Sequence, residues 1–165
     1  MNEKINRMWK YDMLTQVLNR SGFFYCAETI LQKIKEEKSN AFIIFLDIDG
    51  LKSVNDNLGH EIGDAFIAKI AGILKEVVPK DCLIMRYGGD EFVVFGSCKQ
   101  AGRMQRIAED IKAAIKTDDQ KENRSYHLAA SLGCSLHKSY EMDNLNSLIE
   151  LADKKMYEEK KNKRR

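Results

Sequence analysis

The sequence predicts an α/β or α+β sandwich in which helices pack on a sheet. Three observations carry this. Apolar residues recur at helical spacing in five stretches, and between them lie short runs rich in β-formers. These two kinds of segment interleave from end to end, with a single proline, Pro79, and no low-complexity linker or internal repeat. At 165 residues the chain has the length of one domain. A chain of that size buries about 70% of the surface its unfolded form exposes, so it needs no disulfide or metal staple to fold.

Ile5, Met8, Trp9 and Met13 have loose helical spacing and predict a short leading helix. A second helix follows Ser21, with Phe24, Ala27, Ile30, Leu31 and Ile34 on one face. Ser39-Asn40 breaks that pattern, and Ala41 to Leu46 reads as a central strand buried on both faces. The strand ends at Asp47-Ile48-Asp49-Gly50, and Asn55 to Gly59 reads as a polar turn. From about His60 to Val78, Ile62, Phe66, Ile67, Ile70, Ile73, Leu74 and Val77 form a helical stripe that Pro79-Lys80-Asp81 stops. Cys82–Tyr87 and Glu91–Phe95 read as strands joined by Gly88-Gly89-Asp90, a hairpin with two residues free to take positive φ. Met104, Ile107, Ala108, Ile111 and Ile115 mark a further helix, Leu128 to Leu136 a strand, and Leu145, Leu148, Ile149, Ala152 and Met156 the last helix.

The hydrophobic fraction of 44% and charged fraction of 32% belong to a globular chain and exclude disorder or collagen. The longest apolar run, Ala41 to Leu46, is far short of the ~20 residues that span a bilayer. The first twelve residues are polar or charged with scattered apolar side chains, so no signal peptide is expected there. The net charge of +2 is unevenly placed: Lys154 to Arg165 carries +5 and the rest −3. Such a tail either faces phosphate or is a solvated helix end. Cys26, Cys82, Cys98 and Cys134 show no CxxC spacing and read as reduced thiols of a cytoplasmic protein.

Two acidic groups carry the chemistry. Asp47 and Asp49 close the buried strand, and Asp90 and Glu91 sit at the glycine hairpin. Carboxylates are poor β-formers and costly to bury, so their place at strand ends asks for a compensating charge. A pair of divalent cations supplies it, since Mg²⁺ takes one or two carboxylates together with substrate phosphates. Two such ions serve phosphoryl or nucleotidyl transfer. Asp49 by itself reads better as a turn cap. Gly88 and Gly89 allow backbone to approach a phosphate.

The stretch Arg86-Tyr87-Gly88-Gly89-Asp90-Glu91-Phe92 resembles the signature of the GGDEF family, the diguanylate cyclases. Leu46 to Asp64 resembles the family block D-x-D-x-F-K-x-x-N-D-x-x-G-H-x-x-G-D. Asp12-Met13-Leu14-Thr15 with Asn19-Arg20 resembles D-x-L-T-x-x-x-N-R, and Ser131-Leu132-Gly133 resembles S-I-G. Ala152-Asp153, Met156-Tyr157 and Lys160 resemble the closing A-D-x-x-x-Y-x-x-K helix. The blocks stand in family order, dividing the chain into a leading helix or linker, 1–11, and a GGDEF catalytic domain, 12–165.

The resemblance implies an α+β fold with a mainly antiparallel central sheet flanked by helices, like the palm of nucleotide cyclases and polymerases. It implies a nucleotidyltransferase that condenses two GTP into cyclic di-GMP. Two copies of the domain meet, each 3′-hydroxyl attacks the partner's α-phosphate, and two pyrophosphates leave. It implies two Mg²⁺ (or Mn²⁺) ions per active site, held by Asp47, Asp90, Glu91 and the Ile48 carbonyl, with Asp90 and Glu91 as catalytic residues. Gly88 and Gly89 lie against GTP, Asn55 and Asp64 read the guanine edge, and Lys52, Lys160 and Arg164 contact phosphates. Asp12, Asn19 and Arg20 hold the start of the domain, and His60 opens a helix. The partners implied are GTP and a second copy of the domain, with no nucleic acid and no membrane segment in this chain.

The chain departs from the pattern at three places. Leu51 stands for the usual Phe, and Lys163 for the usual Gly before Arg164. Pro79 and Cys82 stand where many members carry the Arg and Asp of an R-x-x-D product-inhibition motif, so weak or absent product feedback is expected. The alternative readings are a catalytically weak GTP-binding regulatory module of the same fold and a cyclase of other nucleotides.

Overall fold

In a computed structural model, residues 3–138 and 144–165 are described, with side chains from residue 7 onward. The elements follow in the order α1 (Glu3–Lys10), α2 (Arg20–Glu37), β1 (Asn40–Ile48), α3 (Leu51–Leu58), α4 (His60–Val77), β2 (Leu83–Arg86), β3 (Glu91–Cys98), α5 (Arg103–Lys121), β4 (Ala130–Lys138) and α6 (Leu145–Lys163). The strands form one sheet in the order β2-β3-β1-β4, and every neighbouring pair is antiparallel. The fold class is therefore the α+β arrangement expected.

The two-residue period of a strand splits the core into two layers. Phe42, Ile44, Leu46 and Ile48 of β1, with Phe92 and Val94 of β3, face α3, α4 and α5. Ala41, Ile43 and Phe45, with Val93 and Phe95, face α2 and α6. Six phenylalanine rings, Phe23, Phe42, Phe45, Phe66, Phe92 and Phe95, are fully buried. Each contributes about 1.5–3 kcal/mol. The sheet is thus a rigid frame, and the acidic groups stand at one end of it.

Helix starts obey local chemistry. The Asn19 side chain accepts from the Gly22 N–H at 2.9 Å and opens α2, and Asn144 accepts from the Ser147 N–H at 2.9 Å and opens α6. Packing of α6 on β4 is close enough to require a glycine. A Cβ at Gly133 would sit 2.1 Å from both the Ala152 carbonyl oxygen and the Met156 nitrogen.

The structure corrects four local readings. β1 continues past Leu46 to Ile48, because antiparallel neighbours pair on both sides of Asp47 and outweigh the poor β-propensity of Asp. Residues 55–58 belong to α3 rather than to a turn; Gly50, at φ 76°, starts that helix and Gly59, at φ 92°, ends it. Gly88 and Gly89 are not at positive φ, which among glycines is confined to Gly50, Gly59 and Gly102. Finally, α6 extends through Lys163, so most of the basic tail is helical. The side chain of Ile5 lies outside the described residues.

Candidate active site

On β1 the residues that face α6 are Ala41, Ile43 and Phe45, and Asp47 takes the next place on that face. It is buried, at 8% exposure. Register places Glu91 of β3 directly opposite it. Asp90 precedes Glu91, and the Ile48 N–H donates to the Asp90 carbonyl at 2.9 Å, tying the turn to β1. Asp47, Asp90 and Glu91 each bring a carboxylate oxygen to a point where all lie within 4.8 Å of one another.

The turn that presents them is braced from both sides. The Tyr87 and Gly88 N–H groups donate to the Glu91 carbonyl at 2.7 and 3.3 Å. Arg86 donates from Nη2 to the Gly89 carbonyl at 2.8 Å and from Nη1 to both Asp12 oxygens at 3.2 Å. Asp12 also accepts from the Thr15 N–H and hydroxyl at 2.9 and 2.7 Å. The Arg20 guanidinium stacks 4.4 Å from the centroid of the Tyr87 ring. A Cβ at Gly88 would lie 2.4 Å from Glu91 Oε2 and would push that carboxylate aside.

The trio is electrostatically primed for a cation. Burial, with the charges of Asp90 and Asp49, pushes the Asp47 carboxyl up, against the pull of Lys160. Burial and the charges of Asp47, Asp90 and Asp153 push Glu91 up as well. Both shifts say that the ionised cluster lacks positive charge. Lys160 Nζ, from α6, donates to Asp47 Oδ1 at 2.7 Å and meets part of that need. An all-carboxylate, hard-oxygen donor set suits Mg²⁺ or Mn²⁺ rather than a softer metal.

Beside the trio lies a cavity of about 510 Å³, lined by Ile48, Leu51, Lys52, Asp90, Lys160 and Arg164 among others. That volume is in the range of small-molecule sites. The cavity gathers all three cations expected to meet phosphate, together with two of the expected metal-site residues. Asn55 and Asp64 are not in its lining. Asn55, in α3, lies against Gly63 of α4, where a Cβ would come within 1.7 Å of its Oδ1, and the exposed Asp64 is the next residue. Gly88 and Gly89 also stand outside that lining. His60 is the first residue of α4.

Asp49 does not belong to the trio. Its carboxylate accepts from Ser131 Oγ at 2.8 and 3.1 Å and from Lys163 Nζ at 3.1 Å. Two residues thus gain positions that sequence spacing did not assign, Arg86 behind the turn and Lys163 behind Asp49. Arg86 stands in the sequence signature beside the turn it braces, whereas nothing in the sequence pairs Lys163 with Asp49, 114 positions away.

The sequence model of the family described as "Diguanylate cyclase, GGDEF domain" matches residues 9–165. Diguanylate cyclase A of Treponema denticola is 29% identical over 167 residues, covering 99% of this chain and 45% of that protein. An uncharacterized membrane protein of Staphylococcus epidermidis is 34% identical over 119 residues, covering 72% of this chain and 32% of that protein. The chain therefore spans less than half the length of these curated relatives. The crystal structure of the coiled coil and GGDEF domain of DgcB from Caulobacter crescentus, in complex with c-di-GMP, matches with a TM-score of 0.84 at 26% identity. That match covers 97% of this chain and 85% of the other.

Proposed function

The chain belongs to the GGDEF family of diguanylate cyclases, and from that premise we propose that it condenses two GTP into cyclic di-GMP and two pyrophosphates. The observation that carries the reading is the convergence of Asp47, Asp90 and Glu91 within 4.8 Å, beside a cavity lined by Lys52, Lys160 and Arg164.

In this reading each chain supplies one half of the reaction. Lys52, Lys160 and Arg164 hold the triphosphate, the lysines as point charges and the arginine as a fork. Asn55 and Asp64 hold the guanine edge. A carboxylate accepts from the N1 and N2 hydrogens of guanine, a donor pair adenine lacks, and such a contact discriminates bases by about 1–3 kcal/mol. Asp47, Asp90, Glu91 and the Ile48 carbonyl would hold two Mg²⁺ or Mn²⁺ ions, which would supply Lewis-acid charge for nucleotidyl transfer.

A second copy of the chain faces the first, so that each 3′-oxygen forms a bond to the partner's α-phosphorus while the bond from that phosphorus to pyrophosphate breaks. A carboxylate oxygen of Asp90 receives the proton of the attacking hydroxyl. Arg86 keeps Asp90 and Glu91 aimed by holding the Gly89 carbonyl. Pro79 and Cys82 leave no R-x-x-D site for the product.

Incubation with GTP and Mg²⁺ at several protein concentrations, followed by chromatographic separation of nucleotides, tests the proposal. Cyclic di-GMP and pyrophosphate form, and activity per chain rises with concentration because two loaded copies must meet. Glu91→Gln lowers the rate by about 10²-fold or more, the scale of one lost preorganised electrostatic contact. GTP binding without product would favour the regulatory module instead.

A further inference from the structure

Lys163 occupies the position where the family usually has glycine, and it does work that a glycine has no atoms for. Its Nζ donates to Asp49 Oδ2 at 3.1 Å and to the Ala130 carbonyl at 2.6 Å. Both partners sit on the frame of the sheet. Asp49 follows β1, its N–H donates to the Ala129 carbonyl at 2.9 Å, and Ser131 of β4 holds its carboxylate. Ala130 is the first residue of β4.

Three helical residues earlier, Lys160 makes the matching contact to Asp47 at 2.7 Å. Residues three apart on a helix share a face. Lys160 and Lys163 therefore form two parallel rungs from α6 to Asp47 and Asp49. The outer rung differs in kind. Lys160 lines the cavity and Lys163 is absent from that lining, whereas Arg164 lines it. The Arg164 guanidinium has no ion-pair partner among the described residues, which leaves its donors for a ligand.

We infer that Lys163 is a positioning residue for the triphosphate. It fastens the last turn of α6 to the ends of β1 and β4, so that Arg164 stays over the cavity and α6 stays seated when Lys160 exchanges Asp47 for a phosphate. The last turn of a helix otherwise frays. The inference rests on the proposed reading that Arg164 meets phosphate.

The test measures affinity for a nonhydrolysable GTP analogue with Mg²⁺, by calorimetry on the full chain, for Lys163→Met, Lys163→Arg, Arg164→Met and the double Met variant. Thermal unfolding of each variant checks that it is folded. Lys163→Met weakens binding about three- to tenfold, in the lower part of the range of couplings between neighbouring residues, and Lys163→Arg recovers most of it. In the Arg164→Met background the effect of Lys163→Met disappears. Wild-type affinity in Lys163→Met, or a loss that persists undiminished without Arg164, overturns the inference and leaves the proposed function standing. An Arg164→Met variant that binds like wild type removes both the phosphate role of Arg164 and the inference. A wild-type chain that does not bind the analogue removes the proposed function itself.

Discussion

Lys160 Nζ stands 2.7 Å from Asp47 Oδ1, joining two residues 113 positions apart in sequence and placing a single ammonium against the acidic trio. The same lysine lines the cavity beside the trio. One side chain therefore serves as counter-charge to the acidic cluster and lines the cavity in which the proposed function places the triphosphate.

The first prediction concerns that lysine. Lys160→Met removes a charge-assisted contact to the triphosphate, so affinity for a nonhydrolysable GTP analogue with Mg²⁺ falls roughly tenfold. Calorimetry measures it, and an unchanged affinity contradicts the phosphate role.

Gly63→Ala should move affinity and stability in opposite directions. The added Cβ falls 1.7 Å from Asn55 Oδ1 and forces that side chain aside. The obstacle is the far end of a side chain, and alanine favours a helix interior over glycine by about 1 kcal/mol. GTP affinity drops several-fold, on the scale of a lost base-edge hydrogen bond of about 1–3 kcal/mol. The melting temperature holds or rises. A variant that binds GTP normally would show that Asn55 does not touch the base.

The brace behind the turn predicts a pH dependence. Burial alone would raise the Asp12 carboxyl, but the Thr15 hydrogen bonds and the Arg86 guanidinium outweigh it and hold it below the ordinary value of 3.8. A carboxylate depressed in the folded state stabilises the fold above its unfolded value and loses that contribution as pH falls through the folded one. Asp12→Asn therefore costs about 1–3 kcal/mol at pH 7. In urea titrations the gap between wild type and variant stays constant down to about pH 5 and narrows below about pH 4. A gap independent of pH contradicts the brace.

Product feedback should be weak. Cys82 is buried, with a thiol pushed up to about 11 mainly by that burial, so it presents no anion at neutral pH. The neighbouring Asp81 is already held by Arg103 at 2.6 and 2.8 Å. Initial-rate kinetics with added cyclic di-GMP should show at most competition with GTP, and noncompetitive inhibition would contradict this.

The sequence was most readable where a pattern repeats. Helical stripes such as Phe66 to Val77 and the buried run of β1 announced themselves, because burial on a regular element imposes its period on the residues. It was less readable where tertiary contact overrode local preference. Asn55 to Leu58 look like a turn by composition but lie in α3, because Leu51 and Val54 bury one face of that helix. Strand pairing carried Asp47 into β1 against its propensity. In the site, Asp47, Asp90 and Glu91 were legible as acids at strand ends, where a carboxylate is costly and asks for a compensating charge. The Lys163–Asp49 rung was not, because its register depends on how α6 crosses the sheet, and the close approach at Gly133 sets that crossing.

In the proposed function Asp47, Asp90 and Glu91 gather divalent metal for GTP. Anomalous diffraction from crystals grown with Mn²⁺ and a nonhydrolysable GTP analogue tests it most directly. The expected result is manganese density within coordination distance of Asp47 and Glu91, with the triphosphate between the metal and the Lys160 and Arg164 side chains. Nucleotide bound elsewhere, or density with no manganese at these carboxylates, would contradict it.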